Sequence, residues 1–252
     1  MTALSASYRN EFAKLLSRKK YIVFLFIGLA ICLIWAGLGQ LLASFIKQSG
    51  GLSLVLSPTP MGMLPFFLQI LVPLLMFMGI SDLLTVEGAD STMRAMICRP
   101  VERWKLYAAK ILAVVTYAAL YLTSIFIICA ILNLIFGKAL SVTDLVLALI
   151  SYALTLIPLA VLASFAALVA LLGRSSTLTM FILLLSYLLL NVLPVFFPVL
   201  SEMLFTSYLS WYRLWIGALP GISKLIHMLA IVLGYGTVFF MAGSLLFDRK
   251  DF

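Results

Sequence analysis

The chain has 252 residues, a formal net charge of +8, 64% hydrophobic residues and only 10% charged ones, with a mean hydropathy of +1.20. A water-soluble domain of that length needs far more polar surface, so lipid is the solvent for most of the chain. The positive balance then speaks of orientation in a membrane and not of a nucleic-acid partner. A single histidine excludes two-histidine zinc motifs, and three cysteines (Cys32, Cys98, Cys129), distant in sequence, give no disulfide framework or metal-ligand spacing.

Residues 1–20 come before the first apolar run and have helical spacing. Leu4, Tyr8, Phe12, Leu15 and Leu16 fall on one face, with Arg9, Lys14 and Arg18 elsewhere. That pattern suits a helix lying in the membrane interface, either as a plain anchor or as a surface touching a partner. Arg9, Glu11, Phe12 and Lys14 are the candidate contacts there.

Six runs are long enough for a hydrocarbon layer of about 30 Å. They are Tyr21–Ile46, Met63–Ile80, Ile111–Phe136, Leu145–Leu172, Leu178–Leu200 and Leu225–Phe247. The second is the shortest, with Pro65 and Pro73 interrupting it. The first, at 26 residues, exceeds the h-region of a signal peptide and reads as an uncleaved span. With the N-terminus inside, 13 cations lie on the cytosolic side and 4 outside, an asymmetry that places both termini in the cytosol. No repeat or low-complexity linker divides the chain, so a single domain is expected.

The outward connections 47–62 and 137–144 are short. Residues 201–223 differ, because Tyr208, Trp211, Tyr212 and Trp215 are rings that favour the membrane–water boundary. This outer aromatic segment reads as an interfacial belt or as a half-embedded gate.

Nine charges crowd between Asp82 and Lys110, whereas the apolar runs carry none. Within that stretch Asp90 or Ser91 can cap a short helix whose apolar face is Met93, Met96 and Ile97, ended by Pro100. Methionine adapts its shape and arginine (Arg94, Arg99, Arg103) makes directional ionic contacts, which suits a knob for a groove on another protein. A solvated loop facing lipid headgroups is the plainer alternative.

What is missing also constrains function. No lysine is followed by Ser or Thr, so there is no Walker A loop. The predicted spans hold no ionisable group of the kind that builds proton or ion relays, and no acidic, basic or histidine cluster for catalysis. Their polar groups are Gln40, Gln69, Tyr117, Tyr121, Asn133, Tyr152, Tyr187 and Asn191. Such residues tie helices together or line a path. Gln69, Tyr117, Tyr121, Asn133, Tyr187 and Asn191 are the candidates for lining one. A path of that kind is apolar and aromatic, suited to amphipathic or lipid-like cargo. Ala163, Ala166, Ala167 and Ala170 permit close helix approach in the fourth run, and Gly28, Gly37, Gly39, Gly234 and Gly236 loosen the first and sixth.

In the 87–110 stretch the chain resembles ABC-2-type permeases, the membrane subunits of bacterial ABC exporters. Glu87, Gly88, Ser91, Thr92, Arg94, Pro100, Arg103 and Lys110 match the family pattern in order, with Ala89-Asp90 inserted after Gly88. The start, Arg9-Asn10-Glu11-Phe12 with Lys14 and Arg18, and the close, Phe247–Asp251, are similar as well. The resemblance implies an all-α integral membrane fold: six transmembrane helices, an N-terminal interfacial amphipathic helix and a cytosolic coupling helix within 87–104. It implies two cytosolic ATPase subunits as partners, with Arg174 as a second contact, and ATP and magnesium held by those subunits and no cofactor in this chain. A second permease copy, contact with membrane lipid and a peptide or lipid-like cargo complete the picture, in the bacterial cytoplasmic membrane. Relatives of similar size include bacitracin-type and lantibiotic-immunity permeases and the phenol-soluble modulin exporter. The alternative is a non-transporting scaffold or sensor that recruits a cytosolic partner through the same loop.

Overall fold

The computed structural model describes residues 3–49, 59–86, 102–136, 141–173, 175–197, 199–200, 203–215 and 222–250. The structure is 94% helical, with no strand among the described residues. An N-terminal helix, Ala3–Ser17, turns at Arg18 into the long helix Lys19–Ser49. Among the described residues, six helices are long and apolar enough to cross a membrane, as expected of a multi-pass membrane protein. They begin at Lys19, Pro60, Arg103, Val142, Ser176 and Leu225, and are named here the first to sixth spans.

The second span is neither short nor interrupted. It runs 27 residues, Pro60–Val86, and is the most enclosed of the six. Pro73 has no N–H to give the carbonyl of Gln69, and the chain passes that point as a wider helical turn over Phe67–Leu71. The Tyr187 hydroxyl donates to the Gln69 carbonyl at 3.1 Å. A second wide turn, Ser81–Val86, extends the span past the predicted end at Ile80. The third span likewise begins at Arg103, eight residues before the predicted Ile111. Asp82 and Lys110 therefore lie inside continuous helices, and the expectation of charge-free spans does not hold.

The fourth span is built from Val142–Leu154 and Leu156–Leu172, interrupted at Thr155. Pro158 withholds the donor that the Leu154 carbonyl would otherwise receive. Ala163, Ala166, Ala167 and Ala170 are all buried, as their spacing predicted, and the sixth span packs along this half. Phe165, Phe205, Tyr235 and Phe239 form a cluster there, with ring centroids 5.3 to 5.8 Å apart. The fifth span is the opposite case, burying only Thr179 and Leu183. Its Phe181, Leu185, Leu188 and Leu189 face outward, as apolar side chains do where the surrounding medium is hydrocarbon.

Two further expectations are corrected. Tyr208, Trp211 and Tyr212 do not project as a belt. They sit on the helical segment Phe205–Trp215 and are buried against the fourth, fifth and sixth spans. Nor does Gly28 loosen the first span. A Cβ there would collide with the Tyr121 hydroxyl, so glycine is what lets the first and third spans meet. Gly37 and Gly234 face open space.

Candidate functional site

One end of the bundle gathers the Lys19 end of the first span, the Val86 end of the second, the Arg103 end of the third and the Arg249 end of the sixth. The segment 87–101 joins the second and third spans at this end. It lies outside the described residues, and with it Glu87, Gly88, Asp90, Ser91, Thr92, Met93, Arg94, Met96, Ile97, Arg99 and Pro100; Arg174 does too. The described residues on either side of it form the site.

On the second-span side, Asp82 is buried and its Oδ2 accepts from the Tyr21 hydroxyl at 2.6 Å. Arg18 Nη1 reaches the same oxygen at 3.0 Å, and Lys20 Nζ pairs with it also. Tyr117 from the third span donates to the Tyr21 carbonyl at 2.9 Å. The turn between the N-terminal helix and the first span is thus fastened to the exit of the second. Clustered cations at the start of a helix oppose its dipole, and Asp82 supplies the compensating negative charge.

On the third-span side, Lys110 Nζ and Glu11 Oε2 pair at 3.0 Å, both side chains fully enclosed. Lys14 Nζ takes the other oxygen of Glu11 at 3.0 Å. The N-terminal helix therefore turns Glu11 and Leu15 toward the bundle and packs lengthwise on the third span, while Leu16 is exposed. Tyr8 and Phe12 stack at 5.9 Å, half-buried.

The remaining spans are tied in at the same level. Ser81 Oγ donates to the Ser176 carbonyl at 3.0 Å, and Thr85 Oγ1 to the Ala170 carbonyl at 3.3 Å. These bonds set Ala170 and Ser176 beside the end of the second span. Arg103 Nη1 donates to the Asp248 carbonyl at 2.7 Å, and Lys250 Nζ to the Leu171 carbonyl at 2.6 Å. Burial lowers the Lys250 pKa from the usual lysine value. At the entry to the third span, Glu102 accepts from Lys105 at 2.7 Å and from Trp104 Nε1 at 2.5 Å. Those hydrogen bonds, Lys105 first, hold its carboxyl below the usual glutamate value.

The model of the family described as "Protein of unknown function (DUF2705)" matches residues 41–252. The chain belongs to this family. No curated protein matches it. The DUF2705 match contains Asp82 and Lys110, while their partners Glu11, Arg18, Lys20 and Tyr21 lie before residue 41.

Among the residues nominated for a path, Tyr117, Asn133, Tyr187 and Asn191 hydrogen-bond to backbone carbonyls. Tyr117, Tyr121 and Asn133 are buried along the third span, where Tyr117 bonds the Tyr21 carbonyl and Asn133 Nδ2 donates to the Cys129 carbonyl at 3.2 Å. Tyr187 bonds the Gln69 carbonyl, and the Asn191 Nδ2 donates to the Tyr187 carbonyl at 2.8 Å. Each of these bonds fixes helix to helix or closes a turn. An apolar groove of about 510 Å³ lies elsewhere, between the fourth and sixth spans, lined among others by Leu156, Val161, Ser164, Leu233, Thr237 and Phe240. Ser164 and Thr237 spend their hydroxyls on carbonyls of their own helices, at 2.9 Å each.

The sequence reading named Glu11, Lys14 and Arg103 as candidate contacts and did not single out Arg18, Lys20, Tyr21, Ser81, Asp82 or Thr85. Their signal was local. Asp82 stands between Ile80-Ser81 and Leu83-Leu84, and Lys110 between Ala109 and Ile111, so each is flanked mostly by apolar residues.

Proposed function

We propose that this chain is the membrane-spanning permease subunit of an ATP-driven exporter of ABC-2 type, moving amphipathic or hydrophobic peptides out of the cell. The observation that carries the reading is the double ionic fastening around segment 87–101. Asp82 stands four residues before Val86 and Lys110 eight residues after Glu102, each tied to the N-terminal helix or the turn that follows it. A push delivered at Val86 or Glu102 reaches the N-terminal helix and the first span through these pairs. Buried, paired charges suit that duty, because breaking one pair leaves a bare charge in apolar surroundings.

In this reading both termini and segment 87–101 face the cytosol of a bacterial cell, and the coupling helix occupies 87–104. Two cytosolic ATPase subunits bind there and at Arg174, and supply the ATP and magnesium site. A second copy of the chain completes the pathway, and peptide or lipid-like cargo meets apolar walls such as the groove between the fourth and sixth spans.

The test is co-expression with candidate ABC ATPases, purification in nanodiscs, and measurement of ATP hydrolysis and peptide flux. Stable co-purification, with Arg94→Glu separating hydrolysis from flux, is the expected result. Failure of any such ATPase to bind overturns the proposal, and binding with no hydrolysis-dependent flux makes the chain a scaffold.

A further inference from the structure

Cys32 and Cys129 had been expected to be distant, being 97 residues apart, yet their sulfurs lie 3.7 Å from each other. Both thiols are free and neither side chain is exposed. They occupy one seam, along which the first and third spans run in parallel. At one end Tyr117 bonds the Tyr21 carbonyl, and the two rings meet edge to face at 5.4 Å. Further along, Phe24 and Gly28 contact Tyr121, and Cys32 then meets Cys129. The offset in numbering is 96 residues at the tyrosines and 97 at the cysteines, so the register is held between them.

We propose that Cys32 and Cys129 form a redox-closable staple across this seam, with a lipid-soluble two-electron acceptor of the quinone class as its oxidant. The sulfurs already touch. A disulfide requires them to approach to about 2.05 Å, with the helix backbones held in register. In the closing step the two S–H bonds break and one S–S bond forms. Two protons and two electrons pass to the quinone, which leaves as the hydroquinone. The oxidant class follows from the surroundings: both sulfurs are enclosed among apolar side chains of membrane-crossing helices, so an oxidant reaches them from the lipid when the seam opens, and charged oxidants do not partition there. Closing the staple fixes the first span to the third at a second point beyond the charged end, whatever the chain transports.

The experiment uses the full chain in lipid vesicles, with Cys98→Ser to remove the third thiol and a protease site inserted between Gly50 and Gly51. After treatment with decyl-quinone and cleavage, the two fragments are expected to migrate together without reductant and to separate with it. Cys32→Ser or Cys129→Ser abolishes the linkage, and tetrathionate, confined to water, produces it more slowly than the quinone. Fragments that separate after quinone treatment, linkage that survives Cys32→Ser, or equal rates with the two oxidants overturn the proposal.

Discussion

Glu11 and Lys110, 99 residues apart in sequence, meet at 3.0 Å with neither side chain exposed beyond 1%. Each offsets the cost of burying the other, so the loss of one leaves the remaining enclosed charge without this partner. Glu11→Leu or Lys110→Met alone is expected to destabilise the chain by about 3–5 kcal/mol, whereas the two combined recover most of the loss. Unfolding curves of the purified protein in detergent, arranged as a double-mutant cycle, check this. Additive losses in the double variant would contradict it.

The ends of the spans were the part least legible in the sequence. Hydropathy located all six apolar stretches, because a hydrocarbon layer demands about twenty apolar residues in a row whatever their partners. It placed the ends of the second and third too early and too late, at Ile80 and Ile111, because a charge was taken as a loop residue. Asp82 and Lys110 remain helical and buried because cations and a carboxylate from the N-terminal segment neutralise them. Pairings across 61 or 99 residues leave no periodic trace in a single sequence. The same holds for Cys32 and Cys129, and for the rings of Tyr208, Trp211 and Tyr212, whose amphipathic chemistry fits a bundle end as well as a membrane surface.

Asp82 and its cations are unequal partners. One buried carboxylate serves Arg18, Lys20 and the Tyr21 hydroxyl, while the arginine and lysine side chains are 32% and 44% exposed. Either cation alone is replaceable by the other or by water, so Arg18→Gln or Lys20→Gln is expected to cost about 1 kcal/mol or less. Asp82→Ala removes the acceptor from all three and is expected to cost about 3 kcal/mol or more. Stability measurements on the three single variants test the order, and a cost for Arg18→Gln equal to that of Asp82→Ala would refute it.

The seam between the first and third spans makes a steric prediction. A side chain at position 28 strikes the Tyr121 hydroxyl, while position 37 of the same helix has nothing within 4 Å. Gly28→Val is expected to destabilise by about 1–3 kcal/mol, the usual range for overpacking. Gly37→Ala is neutral or stabilising, since it lowers the backbone freedom of the unfolded chain. Shortening Tyr121 to Leu should relieve part of the Gly28→Val penalty. Thermal unfolding of the four variants in the same detergent distinguishes this contact from a general intolerance of substitution in the first span.

Pro73 and Tyr187 supply the last test, through a carbonyl that belongs to neither. The proline withholds an N–H from Gln69, and the tyrosine hydroxyl of the fifth span reaches that carbonyl at 3.1 Å. The Tyr187 ring also stands edge to face on Phe77, at 5.6 Å, and Tyr187→Phe leaves that contact in place. The substitution therefore isolates the hydroxyl. In the original chain it is expected to cost about 1 kcal/mol, the net worth of one hydrogen bond. In a Pro73→Ala background the helix regains its own donor to Gln69, and the cost of Tyr187→Phe falls toward zero. The coupling between two residues that do not bond each other is the measured quantity. An undiminished cost in the alanine background would mean that the hydroxyl is held for another reason, and that the wide turn at Phe67–Leu71 persists without the proline.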